Sequence, residues 1–150
     1  MILVTGSAGY LGSHLCQKLS KKKIPFYSID NFSGGRKQNI IKNKTFKKID
    51  YSSKKITNFL IKHKITTIVH TAAYTFPNES EKNKKKDYLN NINKTVKFIK
   101  SCSKANIKNF IFFSTSNIYS FDKKDIKAAN EKSKIKPCLL YTSDAADDSL

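Results

Sequence analysis

A short apolar run, Ile2 to Val4, breaks after Thr5 into Gly6-x-x-Gly9-x-x-Gly12, and an apolar helical pattern follows at once. Few folds accept that order. A strand that turns on glycines into a helix presents the helix's first free amides beyond the strand end, where a diphosphate is held. Gly6 is suited to the tight turn. Gly9 has no Cβ to keep the backbone away from a pyrophosphate, and Gly12 lets the helix lie close to the strand.

Asp30 sharpens this reading. Residues Phe26 to Ile29 form a second strand pattern, and Asp30 ends it, 18 residues after Gly12. A carboxylate there accepts hydrogen bonds from the adenosine ribose hydroxyls and repels a 2′-phosphate, which favours NAD over NADP. Arg36 and Lys37 stand close enough to temper that preference. Strand, spacing and acid together favour a bound dinucleotide over a tight turn that holds nothing.

A chain of 150 residues buries one sizeable core, so one domain is expected. No apolar run is long enough to span a membrane. The chain opens directly on a core strand, which leaves no place for a secretory leader. Cys16, Cys102 and Cys138 lack metal-type spacing and read as reduced thiols of a cytoplasmic protein, with no metal site.

The formal charge of +18 raises a nucleic-acid reading, which the residue types argue against. Of the 29 basic residues only Arg36 is arginine, the side chain suited to base edges and bidentate phosphate contact. The lysines come with 17 Ile and 13 Asn, all residues of A/T-rich codons. Genome composition that places lysine on solvated faces accounts for all three, whereas nucleic-acid binding accounts for the lysines alone.

Strands and helices alternate along the chain. A helix is expected from about Tyr10 to Lys22, with Leu11, Leu15 and Leu19 on one face. Asn31 to Arg36 reads as a loop and Thr45 to Ile49 as a third strand. Ser53 is placed to cap a helix running to about Lys62, with Ile56, Phe59 and Leu60 inward. Thr66 to His70 is a fourth strand. A helix from about Tyr88 to Cys102 carries Ile92, Val96 and Ile99 at helical spacing. Phe110 to Phe113 is apolar throughout, as for a central parallel strand covered on both faces. The alternation predicts an α/β fold, a Rossmann-type doubly wound parallel sheet with ligands at the strand C-termini.

At those strand ends the motifs resemble a family. Thr5-Gly6-Ser7-Ala8-Gly9-Tyr10-Leu11-Gly12, Asp30-Asn31-Phe32-Ser33, Asp50-Tyr51, His70-Thr71-Ala72-Ala73, Asn91-Ile92-Asn93-Lys94-Thr95 and Ser114-Thr115-Ser116-Asn117-Ile118-Tyr119 follow in order. Together they resemble the extended short-chain dehydrogenases, the NAD-dependent nucleotide-sugar epimerases and dehydratases. Asn78-Glu79-Ser80 and Tyr88-x-Asn90-Asn91 are most similar to the 4-epimerase branch acting on UDP-glucose.

The resemblance implies roles. Gly6, Gly9 and Gly12 hold the pyrophosphate, with backbone amides from Tyr10 and Leu11. Asp30 and Asn31 hold the adenosine ribose. Asp50 and Tyr51 lie beside adenine, whose exocyclic amine a carboxylate can accept. Ala72 and Ala73 border the dinucleotide, and Asn91 supports the cofactor side of the site. Thr115 aligns with the catalytic Ser/Thr that bonds the sugar oxygen. Each has a plainer alternative: a turn cap for Asp50, core packing for Ala72 and Ala73, backbone satisfaction for Asn91. His70 reads as a packed strand-end histidine rather than a proton carrier.

The pattern also breaks. Ser120 replaces the glycine usual after the Ile118-Tyr119 pair, and Thr75 stands where the epimerase branch often has lysine. The family needs a Tyr-x-x-x-Lys pair, in which the phenol takes the sugar hydroxyl proton while hydride goes to the cofactor. Tyr141 falls at about the right distance, but Ala145 stands four residues on and no lysine follows Lys136. Residues 1–137 hold 29 basic and 8 acidic residues, whereas 138–150 hold no basic residue and three acids. The tail also resembles a translated frame of a transposon-based sequencing adapter. The expected organisation is therefore an incomplete NAD-binding Rossmann domain over 1–137 and a non-native read-through tail over 138–150.

The resemblance implies an NAD-dependent enzyme that oxidises C4 of a nucleotide sugar and returns the hydride to the other face, homodimeric in its complete form. This chain is expected to bind NAD without turnover. A 4,6-dehydratase or a reductase shares every motif, although such dehydratases usually carry an acidic pair where Ser116-Asn117 follow Thr115. A reading of another class, a non-catalytic NAD-binding or lysine-rich RNA-associated module, predicts RNA affinity that falls steeply with salt.

Overall fold

Leu3 and Val4 are neighbours on the first strand and both are fully buried, on opposite faces of one sheet. The computed structural model describes residues 1–41, 45–74, 83–114, 118, 119, 130, 132, 133 and 135. The chain divides into two units, Met1–Ala73 with Asn93–Phe113, and Tyr74–Ile92 with Ser114–Leu150.

The first unit holds the sheet. Its strands are β1 (Ile2–Thr5), β2 (Phe26–Asp30), β3 (Phe46–Lys48), β4 (Thr67–His70) and β5 (Asn109–Phe112), in the order β3-β2-β1-β4-β5. Every pairing is parallel, with Ile2 opposite both Phe26 and Thr67. Parallel neighbours need crossovers: helices α1 (Tyr10–Lys21), α2 (Ile56–Lys62) and α4 (Lys94–Lys104) lie between β1 and β2, β3 and β4, and β4 and β5, while a 3-10 turn over Lys37–Asn39 lies between β2 and β3. The doubly wound parallel sheet is thus present.

Alternation along each strand divides the core in two. Leu3, Ile29 and Ile68 face α2 and α4, where they meet Ile56, Leu60, Phe98 and Cys102. Val4 and Val69 face α1 and pack with Cys16, Leu15 and Leu19. Each fully buried Leu, Ile or Phe contributes about 2 kcal/mol.

Three helical expectations are corrected. On α1 the buried residues are Gly12, Ser13 and Cys16, while Leu11 is exposed. Leu11 is the second residue of α1, in the turn that follows the glycine motif. The α2 helix starts at Ile56, and Ser53 instead shapes the preceding turn, its Oγ accepting from the Lys55 N–H at 3.3 Å. On α4 the inward residues are Phe98 and Cys102, with Val96 42% and Ile99 48% exposed. A π-helical turn over Leu89–Asn93 precedes α4, so the single regular helix expected from Tyr88 is interrupted before Lys94.

The expectation for the fifth strand also changes. Among the described residues β5 pairs only with β4, and Asn109, Ile111 and Phe112 are exposed. Among the described residues its apolar run therefore lies at the sheet edge and is not covered on both faces.

In the second unit, α3 (Lys84–Tyr88) begins at Asn83, whose Oδ1 accepts from the Lys86 N–H at 3.0 Å. Tyr119 and Ile135 form an isolated antiparallel bridge. Among the described residues, no helix is long and apolar enough to cross a membrane, and no cluster of His, Cys, Asp or Glu is arranged to hold a metal.

Candidate functional site

The C-terminal ends of β1, β2 and β4 bring the glycine turn, Asp30 and Ala72 together. Gly6 adopts φ of +70°, which side chains rarely accept, and a Cβ there would come within 2.7 Å of the Ala72 backbone. A Cβ on Gly12 would overlap the Gly6 carbonyl. Gly9 N–H closes the turn onto Gly6 O at 3.0 Å. The first helical bond recorded at this end runs from Ser13 N–H to Gly9 O at 3.1 Å, so the amides of Tyr10, Leu11 and Gly12 precede it, as the first turn of a helix requires. The turn therefore has the bare cradle and forward amides that suit a diphosphate.

Asp30 fixes that turn. Only 7% exposed, it accepts the Ala8 N–H on Oδ2 at 2.9 Å and the Phe32 N–H on Oδ1 at 2.7 Å. A carboxylate offers about four acceptor positions. Two are used by backbone amides, and two remain for hydroxyl donors such as those of a ribose. The segment after β2 folds over the same alanine. Arg36 N–H and Asn39 Nδ2 both donate to the Ala8 carbonyl at 3.0 Å, and a Cβ on Gly35 would sit 2.6 Å from the Ala8 Cβ.

Asp50 is arranged differently. Its Oδ1 accepts from Ser52 N–H at 2.8 Å and Ser52 Oγ at 2.7 Å. Its Oδ2 accepts from Asn31 Nδ2 at 2.8 Å and Lys94 Nζ at 3.1 Å. Burial alone would raise its carboxyl pKa. The two Ser52 bonds, Asn31 and Lys94 outweigh that and hold it down at about 2. Asn31 is tied at its other end as well, with Oδ1 accepting from Ser33 N–H at 2.9 Å.

Tyr51 packs its ring on the core, edge-on to His70 at 4.8 Å and to Phe98 at 5.5 Å between centroids. Burial, against a hydrogen bond with Thr95, pushes its phenol up to about 12. His70 is fully buried among Tyr51, Phe98, Phe110 and Phe112. Burial drops its pKa to about 4, so it is a neutral packed histidine. Ala72 is half-buried and Ala73 exposed, so neither is core. Cys16 and Cys102 are free, buried thiols.

In the second unit, Asn91 clamps the backbone of Tyr74. Its Oδ1 accepts the Tyr74 N–H at 2.7 Å, and its Nδ2 donates to Tyr74 O at 2.9 Å and to Asp87 Oδ1 at 2.6 Å. This is the backbone-satisfying arrangement named above as its plainer alternative. Thr115 and Tyr141, the expected catalytic residues, lie outside the described residues.

Sequence reasoning missed Ser52, Asn39 and Lys94. Ser52 was within reach, because an aspartate commonly bonds the amide two residues on. Asn39 and Lys94 carry no local signal, since each meets its partner only through the fold.

A doubly wound sheet with a glycine turn and an acid at the second strand end defines a dinucleotide-binding domain of Rossmann type. The chain belongs to the NAD dependent epimerase/dehydratase family, whose model matches residues 2–144. It is 30% identical over 126 residues to a UDP-glucose 4-epimerase of Klebsiella pneumoniae, covering 79% of this chain and 91% of that one. It is 32% identical to a dTDP-D-glucose 4,6-dehydratase of Dictyostelium discoideum, covering 97% of this chain and 38% of that one. The crystal structure of UDP-glucose 4-epimerase from Brucella ovis in complex with NAD superposes with a TM-score of 0.85 at 25% identity, covering 94% of this chain and 43% of that one. The chain thus spans less than half the length of the Dictyostelium and Brucella proteins.

Proposed function

We propose that this chain is the cofactor-holding part of a nucleotide-sugar 4-epimerase of the UDP-glucose type. The observation that carries the reading is the buried Asp30 carboxylate, locked to the glycine turn through Ala8 with two acceptor positions left over. Gly6, Gly9 and Gly12 leave space for the pyrophosphate, and the Tyr10 and Leu11 amides face it. Asp30, with Asn31 beside it, receives the adenosine ribose. Asp50 and Tyr51 flank the adenine, while Ala72 and Ala73 leave room along the dinucleotide. Asn91 holds the Tyr74 backbone in place. NAD bound there supplies hydride acceptance and return at the sugar C4.

The Thr115 hydroxyl bonds the sugar oxygen that is oxidised. In the sequence Tyr141 falls at about the distance of the family's tyrosine, but Ala145 stands where its lysine partner would be, so the chain lacks the Tyr-x-x-x-Lys pair. The chain therefore binds NAD without turning over sugar. The likeness to the Dictyostelium dehydratase, over 97% of this chain, supports a 4,6-dehydratase as the second reading.

Calorimetric titration of the chain with NAD tests the cofactor role; micromolar binding is expected, and none would refute it. Assay of the complete reading frame with UDP-glucose and dTDP-glucose separates the reactions. Epimer without water loss supports the first reading, and a 4-keto-6-deoxy product the second. Sequencing the locus beyond Pro137 tests the 138–150 tail, and a native continuation through Leu150 would reject read-through.

A further inference from the structure

Asp30 and Asp50 each end the approach to a neighbouring strand tip, yet they differ in what they can still accept. Asp30 keeps two acceptor positions, whereas all four positions on Asp50 are taken by Ser52 N–H, Ser52 Oγ, Asn31 Nδ2 and Lys94 Nζ. For Asp50 to receive the exocyclic amine of adenine, one donor has to leave.

Three of the four are fixed. Both Ser52 donors belong to a turn two residues long, and Asn31 is held at both ends by Asp50 and Ser33. Among the described residues Lys94 is held by this one contact, on a long flexible stem, with its side chain 31% exposed. Part-exposed ion pairs of this kind exchange readily.

Resting on the cofactor reading above, we propose that Lys94 sets the base selectivity of the site by competing with a 6-amino purine for Oδ2 of Asp50. Adenine has to displace the ammonium. A 6-oxo purine offers an acceptor that the ammonium can bond where it stands. The chain then binds adenine and hypoxanthine dinucleotides with little discrimination.

The test is calorimetric titration of the 150-residue chain and of Lys94→Met with NAD and with nicotinamide hypoxanthine dinucleotide. In Lys94→Met, NAD should bind about threefold tighter and the hypoxanthine analogue about threefold weaker, as expected for loss of one part-exposed ion pair. Lys94→Arg keeps a cation and should keep the parent ratio. Lys94→Gln, which is neutral and polar, should move the ratio in the direction of Met and serves if the Met variant does not fold. An unchanged ratio in the neutral variants, or weaker NAD binding, overturns the inference while leaving the cofactor reading intact. Failure of the parent chain to bind either dinucleotide overturns both.

Discussion

The Thr5 hydroxyl and Nδ1 of His70 lie 2.7 Å apart, across the paired ends of β1 and β4. The imidazole is otherwise enclosed by aromatic rings, and among the described residues its Nε2 has no hydrogen-bond partner. A proton added to this ring would be buried without an opposing charge.

Acid should therefore unfold the chain through His70. The native pKa is about 4, against 6.5 for the free side chain. Below pH 6.5 the unfolded chain takes a proton that the native chain refuses, so stability falls as pH drops towards 4 and then levels. The loss amounts to about 3 kcal/mol across that window. Urea melts from pH 7 to 4 check it, and His70→Leu should flatten the profile. Asp50 acts lower, because its depressed pKa gives stability that is lost only below about pH 3.8.

Gly12→Ala places a methyl on the Gly6 carbonyl, which cannot move without disturbing β1. We expect a loss of about 2 kcal/mol in stability, in the range for overpacked sites. NAD binding should fall more than stability alone explains, because the turn that presents the amides is displaced. Parallel thermal melts and NAD titrations separate the two effects.

Asp30→Asn exchanges one acceptor oxygen for a donor that faces the Ala8 or Phe32 amide. About 2 kcal/mol of stability should be lost, as for a buried amide left without a partner. The repulsion of a 2′-phosphate goes too, so the ratio of NAD to NADP affinity should drop by about tenfold. Competitive titration with the two dinucleotides measures it.

Much of this site was legible because its signals are local. Gly6, Gly9 and Gly12 announce a turn by spacing, and Asp30 announces itself by ending an apolar run. Asp50 was legible as a residue but not as an arrangement. Its partners Asn31 and Lys94 lie 19 and 44 residues away, and only the fold brings them together. The inward face of α4 was misread for a related reason: Phe98 and Cys102 also recur at helical spacing, and only the fold decides that they, not Val96 and Ile99, face the sheet.

The outer edge of β5 leaves Ile111 49% and Phe112 48% exposed, with Phe113 just beyond. Among the described residues no strand lies beyond β5, and an apolar edge of this kind invites pairing with a second chain. The chain should self-associate at micromolar concentration, and Ile111→Lys should reduce this without lowering the melting temperature by more than about 4 °C. Light scattering against concentration decides it, and a parent chain that stays monomeric would contradict it.

The placement of β1 between β2 and β4 carries a consequence in time. Thr5 meets His70 65 residues later, so the strand bearing the glycine turn has one flank open until the fourth strand is available. The cradle that reads as the simplest local motif is thus assembled by one of the longest-range pairings in the molecule. Its formation should follow the arrival of β4 rather than that of α1, and mutations in β4 should slow the acquisition of cofactor affinity as much as mutations in the turn itself.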